Sequence, residues 1–496
     1  MPETAQFVDP RRWKALTFIA LAQLTVILDS TIVNIALPSA QADLGISDGN
    51  RQWVITAYAL AFGGLLLFGG RFADLWGRKQ AFVIGLIGFA AASALGGAAV
   101  NTGMLLGARA FQGMFGALLA PAALSLLAVM FTDAKERAKA YGLFSAIAGS
   151  GGAVGLILGG VLTEYLDWRW TFFVNIPFAA IAVAGAIVVI REPSDSRNPS
   201  KLDIPGVLLV TLGLVSLVYG FTHAETDGWS AGGTAGLFVA AAALLVAFTV
   251  VESKAKAPLL PPRVVTERNR GGAYLSMGLG VIGLFGLFLF LTYYLQIVKD
   301  YSPVMTGLAF LPLITGLIVG STQISARLIL HIAPRLLMGP GLLAGAAGML
   351  MLTQIDLNTS YPVLILPAFV LLGLGLGTAF MTAISLATHG VHPRDTGIAS
   401  AMINTSQQVG GAIGTALLNT IAAGATAAYA TTHPGGATST ERLQSLVHGY
   451  TTAIWWAVGI LIVAAAVAII FVNAQRQAYG PDGEGTEKDS VPIMTH

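Results

Sequence analysis

The sequence predicts an all-α integral membrane protein in which fourteen transmembrane helices form two six-helix bundles plus two extra helices. Composition gives the first observation, because 55% of the 496 residues are hydrophobic and only 10% are charged. A soluble protein carries about 25% charged residues, so this chain lacks the composition of a water-facing surface. The second observation is a series of long apolar segments, and the third is the uneven distribution of Lys and Arg between the loops that join them.

Each apolar segment has about the length that a helix needs to cross a bilayer, at about 1.5 Å per residue. Gly, Pro or charged residues separate the segments from one another. In chain order they cover residues 13–37, 52–72, 80–99, 104–130, 139–161, 171–190, 204–222, 231–251, 272–297, 306–329, 336–353, 361–384, 395–426 and 448–473. An even number of crossings puts both termini on one side of the membrane.

The Lys and Arg residues predict which side that is. If the amino terminus is inside, the outer loops hold only four of the 27 Lys and Arg residues, namely Arg51, Arg169, Lys299 and Arg442. Arg109 lies within a span, and all the others fall in inner segments. Cytoplasmic loops are enriched in Lys and Arg, and one span more or fewer would scramble this asymmetry. We therefore predict a multi-pass protein of the cytoplasmic (cell) membrane with both termini in the cytoplasm.

Two inner connections have the composition of linkers. Residues 192–200 are rich in Pro and Ser, residues 252–270 are rich in Pro and charge, and together they bracket spans seven and eight. Many secondary transporters consist of two related halves that bind substrate between them near the membrane midplane. We accordingly predict an N-terminal six-helix bundle over 1–195, two additional helices with linkers over 196–265, a C-terminal six-helix bundle over 266–476, and a disordered cytoplasmic tail over 477–496.

Asp29 is the one carboxylate that lies well inside an apolar span. An ionised carboxylate in a bilayer costs on the order of several kcal/mol unless it is paired, hydrated or protonated. A functional role is the usual reason that such a residue is kept. The alternative is an Asp near a helix end that reaches the lipid headgroups.

Arg109, in the fourth span, is the second informative membrane charge. Spans one and four run in opposite directions, which places Asp29 and Arg109 in the outer half of the membrane at comparable depth. We predict that Arg109 faces the cavity and adjusts the proton affinity of Asp29, so that the two residues form a proton-coupling site. The alternative is that Arg109 extends to the outer headgroups.

The loop between spans two and three reads Gly70-Arg71-Phe72-Ala73-Asp74-Leu75-Trp76-Gly77-Arg78-Lys79. It resembles the signature loop of the major facilitator superfamily, in which Gly, Asp, Gly and Arg recur at this spacing. The resemblance implies that Gly70 and Gly77 allow tight turns. It also implies that Asp74 and Arg78 form a gating charge pair that is made and broken between conformations. The alternative is a basic loop that only fixes topology.

Further motifs follow in order along most of the chain. They are Leu28-Asp29-Ser30-Thr31 with Asn34 through Pro38, Gln52-Trp53-Val54 with Tyr58, Arg109-Ala110-Phe111-Gln112-Gly113 through Pro121, Trp168-Arg169-Trp170 with Phe172, Asn175 and Pro177, Tyr294-Leu295-Gln296 with Tyr301-Ser302-Pro303 and Gly307, and Asp395-Thr396-Gly397 with Asn404, Gln408, Gly410 and Gly411. This series resembles the fourteen-helix drug:proton antiporters of the same superfamily. Leu156 departs from the pattern, because Pro is expected there between the glycines of span five.

The resemblance implies the major facilitator fold and proton-coupled efflux of amphipathic drugs or antibiotics by alternating access, as in multidrug efflux and antibiotic resistance. Polar, aromatic or methionine side chains in spans expected to line a cavity are candidates for substrate binding. These are Gln23, Asn34, Tyr58, Gln112, Tyr293, Tyr294, Gln296, Met381, Asn404, Gln407 and Gln408.

Two other functions stay open. A protein of the same fold can carry a lipid or a metabolite or drive uptake, and a membrane enzyme or receptor is the third class. We find no nucleotide-binding motif, metal-ligand cluster or nucleophile triad, so we expect no enzyme activity, cofactor or metal. The expected partners are a small-molecule drug or antibiotic, protons and membrane lipids. We expect a monomer and no nucleic-acid partner.

Overall fold

The computed structural model describes residues 11–131, 133–190, 203–255, 258–329, 331–388, 391, 396–432 and 439–474. The tail 477–496, the linker 192–200 and Asp395 lie outside these residues. In the described residues the chain forms helices and no strand.

The helices are numbered in chain order. They are α1 (Arg12–Leu44), α2 (Trp53–Trp76), α3 (Arg78–Gly97), α4 (Thr102–Met130), α5 (Ala134–Tyr165), α6 (Trp170–Phe173), α7 (Asn175–Val189), α8 (Ile204–Asp227), α9 (Gly232–Lys254), α10 (Pro262–Val265), α11 (Arg268–Tyr293), α12 (Pro303–Ala309), α13 (Leu311–Val319), α14 (Ala326–Leu328), α15 (Arg335–Leu352), α16 (Leu366–Thr388), α17 (Thr396–Thr432) and α18 (Ser439–Phe471). Three π-helical turns extend or precede these helices: Tyr294–Val298 after α11, Gly320–Ser325 after α13 and Tyr361–Ile365 before α16.

Thirteen helical segments of the described chain are long and apolar enough to cross a membrane. The 32-residue α5 is a further helix of sufficient length. The prediction of an all-α membrane protein is therefore confirmed, and the count of fourteen agrees approximately.

Two helices extend well beyond the predicted spans: α18 begins at Ser439 and not at residue 448, and α1 continues beyond residue 37 to Leu44. Pro38 lies inside the helix rather than ending it, as membrane helices tolerate when neighbouring groups satisfy the freed backbone. Gly45 ends the helix in the left-handed region, with φ of 62°. Asp29 consequently lies near the middle of α1, further from its C-terminal end than the predicted span implied.

Polar side chains fix several helix starts by accepting hydrogen bonds from free backbone N–H groups. Asn101 accepts from the Met104 N–H at 2.9 Å, and Asp133 accepts from the Glu136 N–H at 2.9 Å. Such caps place the beginnings of α4 and α5 at the ends of the bundle.

The join between α2 and α3 tests the predicted tight turns. Gly77 has φ of 109°, a conformation that favours glycine, and it alone separates the two helices. Gly70 lies inside α2 instead, where an added Cβ would make only an ordinary contact with Pro121 at 3.6 Å. The prediction that Gly70 allows a tight turn is therefore wrong.

Close helix approach at glycines organises the first half, α1 to α7. α2 and α3 pack on α4, and α1 packs on α5 and α7. A Cβ at Gly69 would overlap the Ala117 carbonyl oxygen, and one at Gly113 would overlap the Tyr58 carbonyl oxygen. Small residues of this kind let membrane helices approach closely.

α5 runs without a break through Leu156, the position where Pro was expected. Gly155 and Gly159 face α1, because a Cβ at Gly155 would overlap the Thr31 hydroxyl and one at Gly159 would lie 2.9 Å from the Ile32 carbonyl oxygen. Small residues at these positions therefore let α1 and α5 approach closely.

The second half, α11 to α18, packs in the same way. α15 lies against α16 and α18, and α11 lies against α17 and α18. Between α15 and α16, a Cβ at Gly341 would lie 2.8 Å from the Gly375 carbonyl oxygen, and one at Gly348 would lie 2.7 Å from the Ala368 carbonyl oxygen.

The halves meet where α2 packs on α17 and where α5 packs on α12. A Cβ at Gly63 would lie 2.9 Å from the Gln408 Cβ, and one at Gly160 would lie 2.7 Å from the Pro303 carbonyl oxygen. We call the end of the molecule at which α1 begins and α18 ends the terminal end, and the opposite end the distal end. The α5–α12 contact lies towards the distal end.

α8 and α9 pack on each other, and α8 also packs on both α2 and α17. α8 therefore lies along the seam between the two halves. Most of α9 is exposed at the outside of the helix assembly.

Candidate functional site

The site is built around Asp29, whose side chain is fully buried. Its Oδ2 atom accepts a hydrogen bond from Arg109 Nη1 at 2.6 Å. Its Oδ1 atom accepts from Gln112 Nε2 at 2.8 Å and from Asn175 Nδ2 at 2.9 Å. Both carboxylate oxygens are thus occupied by donors from other helices.

A second set of bonds holds those donors in place. Ser93 Oγ accepts from Gln112 Nε2 at 2.7 Å and from Asn175 Nδ2 at 3.3 Å. Arg109 donates from Nε to the Val54 carbonyl oxygen at 2.8 Å and from Nη1 to Gln112 Oε1 at 2.8 Å. We call the five side chains of this cluster the Asp29 network: Asp29, Ser93, Arg109, Gln112 and Asn175.

The network joins α1, α3, α4 and α7, and the Val54 carbonyl adds α2. All of these helices belong to the first half. The Tyr58 ring covers the guanidinium, with its centroid 4.4 Å from Arg109 Cζ. This cation–π contact is possible because Gly113, on the next turn of α4, lets α2 approach closely.

The hydrogen-bond pattern is that of an ionised carboxylate, because Asp29 acts only as an acceptor. A buried charge is tolerated when it is paired and its remaining lone pairs are bonded, and both conditions hold here. Removing one partner of such a pair leaves an uncompensated buried charge, at a typical cost of about 3–5 kcal/mol.

Arg109 lies about two helical turns after Thr102, where α4 begins, and its exposed fraction is 1%. It does not extend to the end of the bundle, so the alternative of contact with the headgroups does not describe this structure. Neither Asp29 nor Arg109 is exposed to a cavity in this conformation. That differs from the expectation that Arg109 faces the cavity, because Tyr58 and the amides of Gln112 and Asn175 enclose the pair.

The predicted substrate-binding residues fall into separate regions. Tyr58 and Gln112 belong to the site just described. Three residues lie at the distal end: Tyr293, whose hydroxyl donates to Gln41, Tyr294, whose hydroxyl donates to the Asp356 carbonyl at 2.6 Å, and Gln296, whose amide donates to the Ile35 carbonyl at 3.0 Å.

The remaining candidates lie on α1, α16 and α17. Asn34 is buried, and its Nδ2 donates to the Ser30 carbonyl at 3.0 Å. Partly exposed or exposed side chains of this group are Gln23, Met381, Asn404, Gln407 and Gln408. These side chains are partly or fully exposed, whereas the side chains of the Asp29 network are buried in this conformation.

The gating residues lie at the terminal end, where α2 ends and α3 begins. Arg78 is the first residue of α3, and the side chain of Asp74 lies outside the described part of the structure. In the same loop Arg71 Nη2 donates to the Pro258 carbonyl at 3.2 Å, and Lys79 Nζ donates to the Ile190 carbonyl at 2.7 Å. The loop therefore contacts both the linker before the second half and the end of α7.

Ser93 and Asn175 are site residues to which the sequence reasoning assigned no site role, although Asn175 belongs to one of the motifs that carry the resemblance. Asn175 carried a signal, since it is an amide near the start of the otherwise apolar sixth span. The sequence around Ser93 gave no such signal. A lone serine among alanines is common in membrane helices, and its hydroxyl can form a hydrogen bond with the backbone of its own helix.

Two packed helical halves with a buried charge network in the membrane-spanning region define a secondary transporter. The chain belongs to the Major Facilitator Superfamily, whose family model matches residues 19–415. It is therefore a multi-pass membrane transporter.

Named relatives share most of its length. The puromycin resistance protein pur8 of Streptomyces alboniger is 52% identical over 98% of this chain and 96% of that protein. The cephamycin export protein CmcT of Amycolatopsis lactamdurans is 36% identical over 82% of this chain and 84% of that protein. Among solved structures, a bacterial homolog to the human lysosomal transporter Spinster, in an inward-facing and unoccupied conformation, matches with a TM-score of 0.66. It is 16% identical over 93% of this chain and 97% of that chain, which shows the fold.

Proposed function

We propose that this protein is a proton-coupled exporter of amphipathic antibiotics that works by alternating access, and that puromycin is one of its substrates. The observation that carries the coupling is the buried Asp29–Arg109 pair at 2.6 Å, since ionisable residues inside membranes mark proton and substrate pathways. The choice of substrate class is supported by the names of the puromycin and cephamycin relatives.

The proposed setting is the cytoplasmic membrane, with the terminal end in the cytoplasm and the distal end outside. The distribution of Lys and Arg supports this orientation, because only four of the 27 fall in the segments predicted as outer loops. The structure then represents a conformation whose outer ends are in contact. Export requires that these ends separate and that the cytoplasmic ends close.

Asp29 is the proposed proton acceptor, and its protonation has a defined local consequence. A neutral carboxyl group has to donate its O–H and no longer balances the charge of Arg109. At least one of the three bonds that Asp29 accepts must therefore break, and the guanidinium is released from its partner. Because the network joins five helices of the first half, the change spreads through that half.

The proposal does not require the proton and the substrate to bind in the conformation described. In the outward-open state we propose that water reaches Asp29, and that protonation there accompanies release of the drug. Return to the inward-open state restores the Arg109 pair and expels the proton to the cytoplasm. With a single carboxylate in the middle of a span, the expected number of protons per cycle is low.

The substrate is proposed to bind between the halves, against accessible side chains of α1 and α17. Gln23, Asn404, Gln407 and Gln408 supply hydrogen-bonding groups there, and each is partly exposed. Sites that combine an apolar lining with a few polar groups suit amphipathic ligands.

Inside-out membrane vesicles test this function. With an acidified lumen, vesicles that contain the protein should accumulate radiolabelled puromycin several-fold above vesicles without it. An ionophore that exchanges protons for potassium should abolish the excess, because it collapses the pH gradient. Accumulation that does not depend on the pH gradient would rule out proton coupling. If the protein transports a lipid or a metabolite but no puromycin, the alternative function as a lipid or metabolite carrier is favoured.

A second expectation concerns the proposed gating pair, Asp74 and Arg78. Asp74→Asn should slow puromycin transport about tenfold or more while equilibrium binding changes little, because the loop acts on the transition and not on the ligand. A 1.4 kcal/mol increase in the barrier corresponds to that factor. The measurements are initial transport rate and binding by isothermal titration in detergent. An equal, severe loss of binding would show that the loop acts in some other way.

A further inference from the structure

A buried arginine lies where the two halves meet at the distal end. Arg51, in the turn before α2, has an exposed fraction of 5%, and its guanidinium carbon lies 4.2 Å from the centroid of the Tyr293 ring. Its Nε donates to Asn419 Oδ1 at 3.4 Å, and its Nη1 lies 3.3 Å from Asp48 Oδ1. Arg51 of the first half is thus held by two residues of the second half.

The next residue, Gln52, is completely buried and bonds to three residues on two other helices. With its amide oriented to suit its neighbours, the nitrogen donates to the Thr415 and Ala416 carbonyls of α17 at 3.0 and 3.2 Å. The amide oxygen accepts from the Thr222 hydroxyl of α8 at 3.2 Å. One side chain of the first half therefore binds both the second half and an inserted helix.

α8 also binds the second half directly. The Thr420 hydroxyl of α17 donates to the Phe221 carbonyl of α8 at 2.9 Å. Further along the seam, the Thr211 hydroxyl donates to the Gly64 carbonyl of α2 at 3.3 Å. α8 is accordingly bonded to both halves, and at the distal end the two α8 residues that make these bonds, Phe221 and Thr222, are adjacent in sequence.

From these contacts we infer that α8 is a third component of the outer gate, in which Thr222 and Phe221 bridge the two halves while that gate is closed. This inference rests on the alternating access of the proposed function. When the outer ends separate, Gln52 moves with the first half and Thr420 moves with the second. α8 cannot follow both, so one of its two bonds must break each time the gate opens.

The bridge makes the inserted helices an energetic part of the transport cycle and not only a cover on the seam. Removing either bond should favour the outward-open conformation. A single hydrogen bond contributes enough to change the ratio of open to closed molecules about two- to tenfold.

The chain has no cysteine, so two spin labels can be introduced without removing any native residue. Ser47→Cys and Asn358→Cys place labels on exposed distal loops of the two halves. Double electron–electron resonance then reports the distance between the outer ends, with no need for substrate or a proton gradient. A failure of the proposed transport function therefore stays separate from a failure of the gate.

Thr222→Val and Thr420→Val remove the two bridging hydroxyls while keeping the side-chain shape. The matched controls are Thr226→Val on α8 and Thr426→Val on α17, because the described bonds of those hydroxyls stay within their own helices. Thr222→Ser tests rescue, since it restores the hydroxyl.

Both bridging variants should raise the ratio of long to short distances about two- to tenfold over their controls, and Thr222→Ser should match the wild type. Distance distributions equal to the controls in both variants would overturn the inference. A shift in only one of them would also overturn it, because α8 would then move as part of one half and not act as a bridge.

Discussion

Asp29→Asn is expected to abolish gradient-driven accumulation of puromycin in inside-out vesicles, reducing it by about 90% or more. The amide is close to the carboxylate in size but takes up no proton at physiological pH. It also presents a donor where the carboxylate accepted three bonds, so the bond to Arg109 or to one of the two amides is lost. Export against a gradient should fail even where the protein remains folded.

Asp300→Asn is the matched control, because it makes the same chemical change on an exposed residue in the loop between the π-helical turn after α11 and α12. Asp300 has φ of 54°, a conformation that Asn adopts readily, so this variant should fold and transport as the wild type does. Thermal unfolding in detergent shows whether the Asp29 variant is folded. If the folded variant still accumulates puromycin at near wild-type level, Asp29 is not the coupling residue.

Asp29 and Arg109 could be singled out from the sequence because a charge inside an apolar span is conspicuous. Their predicted depths depended on helix ends, and Pro38 was a misleading end for α1 because the surrounding bundle supports a helix through it. The sequence indicated only that Asp29 and Arg109 lie at comparable depth, and not that they are in direct contact. The close packing of α2 on α4 at Gly113, which brings the Tyr58 ring over Arg109, could not be inferred from the sequence.

The remaining parts of the site depend on which face of each helix is buried, and periodicity alone does not show that in a membrane protein. Span three is apolar on every side, so nothing in its sequence indicates that Ser93 bonds to Gln112 and Asn175. Tyr293 and Gln296 are polar residues in an expected cavity helix, yet they lie at the distal end against Gln41 and the Ile35 carbonyl. Their contacts arise between the halves, which are far apart in sequence.

Arg109→Gln is expected to lower the free energy of unfolding by about 3–5 kcal/mol, because it leaves the carboxylate of Asp29 buried without a cation. Arg442→Gln on an exposed part of α18 is the control, and a surface change of this kind should stay within about 0.5 kcal/mol. The readout is denaturant unfolding of purified protein in detergent, followed by intrinsic fluorescence.

The double variant Asp29→Asn with Arg109→Gln separates a lost charge pair from general damage to packing. It removes both buried charges, so it should be more stable than Arg109→Gln alone, with a coupling energy in the double-mutant cycle above about 1 kcal/mol. The Tyr58 ring loses its cation in both Arg109 variants, so that contribution cancels in the comparison. Additive losses in the double variant would contradict the ion-pair account. We expect the double variant to regain stability but not gradient-driven export, because transport needs the proton acceptor that this variant lacks. That result would show that the same two side chains both stabilise the fold and couple transport to protons.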